Sequence, residues 1–385
     1  MDPFNSKFIL KEKRWPWIDY DKGISIILVG YGHCLASLNG HVTDLDNYVL
    51  FTYFGAFFYG FRMPLFFIVS GLLVGRSLNK KSLNGYLGDR INNILYPLLV
   101  WGFIEISMQI LAARFSHFTV NDAIGPSRYL KLIIDPRETG HFWYLNALFC
   151  IGAIYAFIKS AIKLKPSLHL LLGFGLFSLS AYINVNDIYA GLLTDIFEYY
   201  FFFALGELIS DMMLDENNIR RLSSWKIFFP LMIAFCIIQY FFTEINLRPS
   251  PYDDRFVEVK MPFFFLLEAL IGCATSISFS FLLQKYKLFT WIRIVGYHSL
   301  FVYCMQIITI TATRIILQSI IHITYTPAII ISTWASGVVL PIFFYNLCLR
   351  YNLWWLYTFR KPQKQVDYLS STNIFSFKRQ EIPEV

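Results

Sequence analysis

The sequence predicts an all-α, polytopic transmembrane bundle of about ten helices, with both termini in the cytoplasm. Of its 385 residues, 56% are hydrophobic and 15% are charged, and the mean hydropathy is +0.49. Soluble globular domains carry about 25% charged residues, so this composition excludes an ordinary soluble protein. The aromatic fraction of 19% is typical of a membrane protein whose Trp and Tyr side chains anchor it at both interfaces.

The helices are predicted from apolar runs of about 17–25 residues, the length that crosses a bilayer. The start of the sixth run is interrupted by Asp195 and Glu198. The ten predicted spans are residues 17–38, 48–75, 94–113, 141–158, 167–184, 194–213, 227–243, 261–284, 295–319 and 327–349.

The orientation follows from the basic residues between the spans, because cytoplasmic loops carry an excess of Lys and Arg. Loops on one side hold 23 basic residues and loops on the other hold 7. We therefore expect residues 1–16 and the polar tail 356–385 in the cytoplasm, on either side of a transmembrane domain at 17–355. The loops at 114–140 and 244–260 are expected outside. The net charge of +7 thus reflects topology, and no basic arm or patch indicates a nucleic-acid partner.

The first predicted span carries the ionisable side chains Asp19, Lys22 and His33. Lys22 and His33 are eleven residues apart, so they project from one helix face about 16 Å apart along the axis. Asp19 precedes Lys22 by one turn, within pairing reach. Ionisable residues inside a membrane are costly and therefore indicate function. A surface cation with a deeper imidazole on the same face predicts a site entered from one side.

A structural role is the alternative for both residues. His33 is then a hydrogen-bonded core histidine, and Lys22 is an anchor whose charge reaches the interface.

Further motifs follow in the later spans. In the second span Pro64 is predicted to kink the helix, and Ser70 with Gly71 allows close helix contact. The remaining polar or turn-forming residues are Arg62, Arg90, Tyr96-Pro97 and His141-Phe-Trp143-Tyr-Leu145.

In this order the motifs resemble the acyltransferase-3 family of integral-membrane O-acyltransferases, most closely the branch of fucose 4-O-acetylase-like proteins. The resemblance covers roughly residues 14–355. It is carried by Asp19-x-x-Lys22-Gly23, the spacing Lys22-x10-His33, Met63-Pro-Leu-Phe-Phe67 with Ser70-Gly71, Tyr96-Pro97, and His141-x-Trp143-Tyr-Leu145. Two positions depart from the family pattern, which often has arginine at Asn93 and commonly histidine at Gln306, and we assign neither a catalytic role.

The resemblance implies acetyl-CoA or another acyl-CoA as donor, bound from the cytoplasm. It implies a hydroxyl of a cell-surface or secreted glycan, or of a glycolipid, as acceptor. A multi-pass protein of the bacterial cytoplasmic (inner) membrane is expected, in contact with the lipid bilayer and with glycan-assembly machinery as a candidate partner. Neither a metal site nor a permanently bound cofactor is expected.

Within that reaction the imidazole of His33 is the expected general base, with Asp19 as a second catalytic residue. Lys22 and Arg90 are expected to bind the donor phosphates at the cytoplasmic mouth. The candidates for stabilising the oxyanion or binding the acceptor are Arg62, Trp143 and His141.

Other roles compete for three of these residues. Arg90 is also typical of a positive-inside loop, and Trp143 of an interfacial aromatic belt. Arg62 is equally suited to a structural ion pair with Glu105, Glu207 or Glu268.

The competing class of function is a transporter or flippase, in which the intramembrane charges form a solute or proton path. A cavity that joins the cytoplasmic face to His33 and accepts a pantetheine arm would favour acyl transfer. A path closed alternately at each end would favour transport.

Overall fold

The computed structural model describes residues 4, 6–11, 15–39, 41, 47–115, 125–247 and 256–361, and over these residues every regular element is helical. The first helices are α1 (Ser6–Lys11), α2 (Pro16–Leu38), α3 (Val49–Phe57), α4 (Arg62–Leu72), α5 (Val74–Lys80), α6 (Leu83–Arg90), α7 (Tyr96–Phe115), α8 (Ser127–Ile134) and α9 (Trp143–Ile162). The later ones are α10 (Pro166–Val185), α11 (Leu192–Leu208), α12 (Ser210–Leu214), α13 (Glu216–Leu222), α14 (Trp225–Leu247), α15 (Val257–Lys260), α16 (Pro262–Tyr286), α17 (Thr290–Tyr297), α18 (Ser299–Ile315) and α19 (Thr326–Arg350). Short π-helical segments at Ile91–Leu95 and Ile316–Ile320 and 3-10 turns at Pro136–Thr139 and Trp354–Leu356 complete the described elements.

The predicted all-α transmembrane class is confirmed, and each predicted span falls on one or more helices. Two of the predicted spans differ from a typical membrane-crossing helix. α2 carries the charged residues Asp19, Asp21 and Lys22 in its first turns, and α11 is short, with 17 residues. The number of crossings and the side of the termini stay predictions. Among the described residues, eight helical segments are long and apolar enough to cross a membrane: Val49–Lys80, Leu83–Arg114, Trp143–Ile162, Pro166–Val185, Trp225–Leu247, Pro262–Tyr286, Ser299–Ile320 and Thr326–Arg350.

The second predicted span is interrupted in the turn that precedes Pro64. The chain leaves the helical path between α3, which ends at Phe57, and α4, which begins at Arg62. Pro64 is the third residue of α4. It has no N–H to bond to the carbonyl of Gly60, and in a continuous helix its ring would clash with that carbonyl, so the disruption expected from Pro64 falls in the turn just before it. Non-helical backbone inside a membrane bundle is tolerated where it lines a cavity, and Tyr59 and Gly60 in this break do so.

The polar first span lies inside the bundle. α2 packs against α4, α16, α17, α18 and α19. The crossing with α17 is so close that a Cβ on Gly296 would lie 1.7 Å from the carbonyl oxygen of Asp19. The polar residues of α2 therefore face protein instead of lipid, which lowers the cost of keeping them there.

A second set of helices carries further polar groups into the interior. α11 packs against α4, α9 and α10. Asp195 and Glu198, the two residues that interrupt the sixth predicted span, are consequently buried within the protein.

Candidate active site

Lys22 and Arg90 line the same cavity, which we call the inner cavity. It has a volume of about 300 Å³ and also includes Asn93, Tyr144 and Tyr303 in its wall. It lies at the predicted cytoplasmic end of the bundle, between the start of α2 and the end of α6. The structure thus brings together the two basic residues predicted to bind the donor, and it adds Asn93, the position that departs from the family pattern.

Arg90 is held in the wall of the inner cavity by its neighbours. Its guanidinium donates a hydrogen bond to the carbonyl oxygen of Leu148 and lies 5.6 Å from the ring centre of Tyr86. A Cβ on Gly152 would lie 2.2 Å from the Arg90 Nη2 atom, so the side chain occupies space that this glycine leaves free. The Nε atom of Arg90 is buried and has no hydrogen-bond partner among the described residues. Arg90 therefore has an unused donor beside a cavity, an arrangement that suits binding of an anion.

His33 lines a second, smaller cavity of about 170 Å³, which we call the His33 cavity. Its wall includes the two candidates Arg62 and Trp143 as well as Tyr303, which also lines the inner cavity. Within the described ranges, the His33 side chain has no hydrogen-bond partner. Its ring packs edge-to-face against the ring of His141, with 5.6 Å between the ring centres. This is not the arrangement of a hydrogen-bonded core histidine, which was the alternative interpretation.

His141 is fixed in orientation by two groups. Its Nε2 atom lies 3.0 Å from the carbonyl oxygen of Tyr303, and because a carbonyl can only accept, Nε2 carries the proton. The Nδ1 atom then faces the carboxylate of Glu105 at 3.7 Å. The Tyr303 hydroxyl donates back to the carbonyl oxygen of His141. A carboxylate therefore lies behind the imidazole that borders His33, an arrangement suited to sharing a proton.

The backbone before His141 needs a glycine. Gly140 has φ of 115°, a conformation that residues with a side chain rarely adopt. It turns the chain from the 3-10 turn at Pro136–Thr139 into the start of α9 and so delivers both His141 and Trp143 to the site.

Arg62, the first residue of α4, packs its guanidinium against α2 near His33. Its Nη1 atom donates to the carbonyl oxygen of Leu28 at 3.0 Å, and its guanidinium carbon lies 4.8 Å from the ring centre of Tyr59. A Cβ on Gly32, the residue before His33, would lie 2.4 Å from this Nη1 atom. A cationic donor is thus packed directly beside the imidazole.

The three glutamates proposed as ion-pair partners for Arg62 have other neighbours. Glu105 faces His141, Glu207 pairs with Lys159, and Glu268 accepts from Gln239. The interpretation of Arg62 as their structural partner was wrong.

Trp143 lies in the wall of the His33 cavity and not in an exposed aromatic belt. The guanidinium carbon of Arg137 lies 4.4 Å from the centre of its ring. Arg137 is a residue that the sequence assigned only to an outer loop, and it lines the His33 cavity together with Tyr59, Tyr199 and Glu258. The intramembrane carboxylates Asp195 and Glu198 were a sequence signal for this cluster, since buried acids need partners.

Asp19 is the one predicted catalytic residue that the structure does not bring to His33. The two are fourteen residues apart on α2, about 21 Å along the helix axis. Asp19 is fully buried beside the crossing with α17 and lines neither of these cavities. A role for Asp19 in the reaction would therefore act at the Lys22 end of the helix.

The comparisons with known proteins identify the family of the chain. A family model described as an acyltransferase domain matches residues 15–363. Nodulation protein NolL of Sinorhizobium fredii is 31% identical over 201 residues, which are 52% of this chain and 50% of that protein. Inner membrane protein YcfT of Escherichia coli is 32% identical over 95 residues, 23% of this chain and 26% of that protein. The matched region thus spans half or less of these curated relatives.

No solved structure matches the chain. The family match nevertheless covers most of the sequence, including every predicted site residue. The chain therefore belongs to this acyltransferase family, whose domain it matches over residues 15–363.

Proposed function

We propose that this protein is a membrane O-acyltransferase that moves an acyl group from acyl-CoA to a hydroxyl of a cell-surface or secreted glycan. The observation that carries the proposal is the pair of cavities that share Tyr303, one lined by Lys22 and Arg90 and the other by His33. A site for an anionic donor and a site for proton transfer are thus adjacent but distinct.

The inner cavity supplies what acyl-CoA requires. The donor carries several phosphate charges, and Lys22 offers a point charge while Arg90 offers a forked donor with Nε unused. The pantetheine arm would extend past Tyr303 toward His33. Acetyl-CoA is the smallest donor that fits this scheme.

In the reaction, His33 removes the proton from the acceptor hydroxyl as its oxygen attacks the thioester carbonyl. The carbon–sulfur bond then breaks, and the CoA thiolate takes the proton that His33 holds. Arg62 lies beside His33 and offers donors for the oxyanion that develops on the carbonyl oxygen. His141, backed by Glu105, borders His33 and can take part in this proton transfer.

The relatives support this setting without specifying it. One bears a name that refers to nodulation and another a name that refers to an inner membrane. We propose the bacterial cytoplasmic membrane as the location of this chain and glycan-assembly machinery as its partner. The narrower resemblance to fucose 4-O-acetylase-like proteins stays a prediction.

Reconstituted vesicles test the proposal. Purified protein is inserted into sealed liposomes with acetyl-CoA on one side and a glycan mixture on both, and acylated glycan is identified by its mass. Acyl transfer that requires His33 supports the proposal. Movement of unmodified glycan across the membrane, independent of acetyl-CoA, would instead establish the transporter alternative. In cells, deletion of the gene should remove an acyl mass from surface glycans.

A further inference from the structure

A third cavity adjoins the His33 cavity and shares no lining residue with the inner cavity. It has a volume of about 660 Å³, within the range of about 300–1,000 Å³ for small-molecule sites. Tyr59, Arg137 and Glu258 line both it and the His33 cavity. We call it the outer vestibule, because the loops around it are those predicted to lie outside.

Acidic residues dominate the wall of the outer vestibule. Asp135, Glu138, Glu198 and Glu258 line it, and among its described lining residues Arg137 alone is basic. Glu138 is paired with Lys131, so an acceptor with a negative charge would approach the other three carboxylates, Asp135, Glu198 and Glu258, and one lining cation.

That one cation is already engaged. The Nε atom of Arg137 lies 2.6 Å from Oδ1 of Asp195, and its Nη2 atom lies 3.7 Å from Oε1 of Glu258. Burial alone would lower the pKa of Arg137, but the neighbouring carboxylates outweigh burial and raise it well above its ordinary value. With the Trp143 ring against its face, Arg137 is bound to the protein and is poorly placed to pair with an incoming anion.

Glu198 presents the opposite case, a buried acceptor atom without a donor. Its side chain is 3% exposed and lines the vestibule. Its Oε2 atom accepts from Asn184 at 3.4 Å, whereas Oε1 is buried and accepts no hydrogen bond from the described residues. Buried polar atoms are nearly always hydrogen-bonded, so this oxygen indicates a missing donor. Glu258, in contrast, accepts from the hydroxyls of Tyr59 and Tyr199 at 2.8 and 3.1 Å.

We propose that the outer vestibule binds the acceptor and selects an uncharged, hydroxyl-rich glycan unit over one that carries a carboxylate or phosphate. This inference rests on the proposed acyl transfer and names its acceptor class. The hydroxyls of a neutral sugar donate to Glu198 and Glu258, and the rings of Tyr59, Tyr189 and Phe256 provide apolar wall. Once bound, one hydroxyl can reach the His33 cavity past Arg137.

Matched glycosides test this selection. Protein in lipid nanodiscs is given acetyl-CoA and either methyl glucoside, methyl glucosaminide or methyl glucuronide, which differ chiefly in charge. We expect kcat/KM for the glucuronide to be at least tenfold below that for the glucoside. The difference should arise in KM, and it should become smaller as the salt concentration is raised. Equal or preferred use of the glucuronide would overturn the inference while leaving acyl transfer established.

The variant Glu198→Gln tests whether the charge of Glu198 discriminates against the glucuronide. It keeps the shape of the side chain and removes its charge, and we expect the glucuronide-to-glucoside ratio to rise at least threefold. Glu216→Gln, an exposed change on α13, should leave the ratio unchanged. Asp135→Asn is the second variant if Glu198→Gln does not fold, with acetyl-CoA affinity as the check on folding. A ratio that neither variant moves contradicts the inference.

Hydrolysis of acetyl-CoA separates the two proposals. His33-dependent hydrolysis without transfer to any glycoside would keep the donor site and reject the vestibule as a sugar site. If the native protein neither hydrolyses acetyl-CoA nor transfers its acyl group to a glycoside, the proposed function itself is rejected.

Discussion

The imidazole rings of His33 and His141 lie 5.6 Å apart at an angle of 70°. One ring comes from the last third of α2 and the other from the turn before α9. Glu105 on α7 lies behind His141 at 3.7 Å. Three segments that are distant in the chain therefore meet where the cavity from one end of the bundle approaches the cavity from the other.

Replacing His33 by alanine should abolish acyl transfer. A positioned general base contributes about 10²–10⁴-fold to a rate, so we expect activity to fall at least ~100-fold while the protein still inserts and folds. The measurement is acylated glycan by mass spectrometry, with thermal unfolding as the folding check. His322→Ala, a change at an exposed histidine, is the control. Normal acylation in His33→Ala would refute the general-base role.

Lys22→Ala and Arg90→Ala should weaken acyl-CoA binding. Each charge-assisted contact contributes about 1.5–3 kcal/mol, or roughly ten- to a hundredfold in affinity. The loss should shrink as salt rises, because partly exposed charges are screened. Calorimetry with the purified variants measures it, and exposed Lys80→Ala is the matched control.

His33→Ala should leave the donor affinity nearly unchanged, which separates the two ends of α2 by function. If neither basic substitution alters the affinity, the two residues set topology only and the donor binds elsewhere.

Gly152→Ala should reproduce part of the Arg90→Ala effect without touching a charge. The added Cβ would lie 2.2 Å from Arg90 Nη2, and because the end of an arginine is flexible, the guanidinium should move instead of the helix. We expect acyl-CoA affinity to fall several-fold with little change in stability. Gly175→Ala adds the same methyl group in α10 where no atom lies within 4 Å. Equal affinities in these two variants would show that the position of Arg90 does not matter.

Glu105→Gln should lower kcat and leave the KM for acyl-CoA unchanged. The carboxylate stabilises positive charge on His141, and its loss should cost about tenfold in rate, equivalent to 1.4 kcal/mol. Glu105→Asp keeps the charge and should recover part of the rate. A parallel loss of folded protein, with kcat per folded molecule intact, would show that Glu105 is only structural.

The topology can be mapped with single cysteines. On a background in which the exposed Cys236 is replaced by serine, an impermeant thiol reagent added outside cells should label Glu138→Cys and not Glu216→Cys. The excess of basic residues around the second position is the reason. Labelling of Glu216→Cys alone would invert the orientation, and with it the assignment of inner and outer cavities. Of the predicted tail at 356–385, residues 362–385 lie outside the described residues.

The sequence by itself determined the helical membrane class, the approximate positions of the helices and the residues His33, Lys22 and Arg90 as candidates. These follow from local rules: length and hydropathy define a span, and a charged or imidazole side chain inside a span needs a reason. The spacing of Lys22 and His33 on one helix is equally local, and it places the two residues at different depths.

Tertiary packing alone decided what surrounds them. The packing of Arg62 against Gly32 and the contacts of Arg137 with Asp195, Glu258 and Trp143 join segments that are far apart in the chain. In the sequence, Arg137 is one of several basic residues in a predicted outer loop. A basic residue outside a membrane span has little energetic cost, so nothing in the local sequence indicates which residues it contacts. Likewise Asp19 was predicted to be catalytic, yet the packing of α2 against α17 buries it outside both the inner cavity and the His33 cavity.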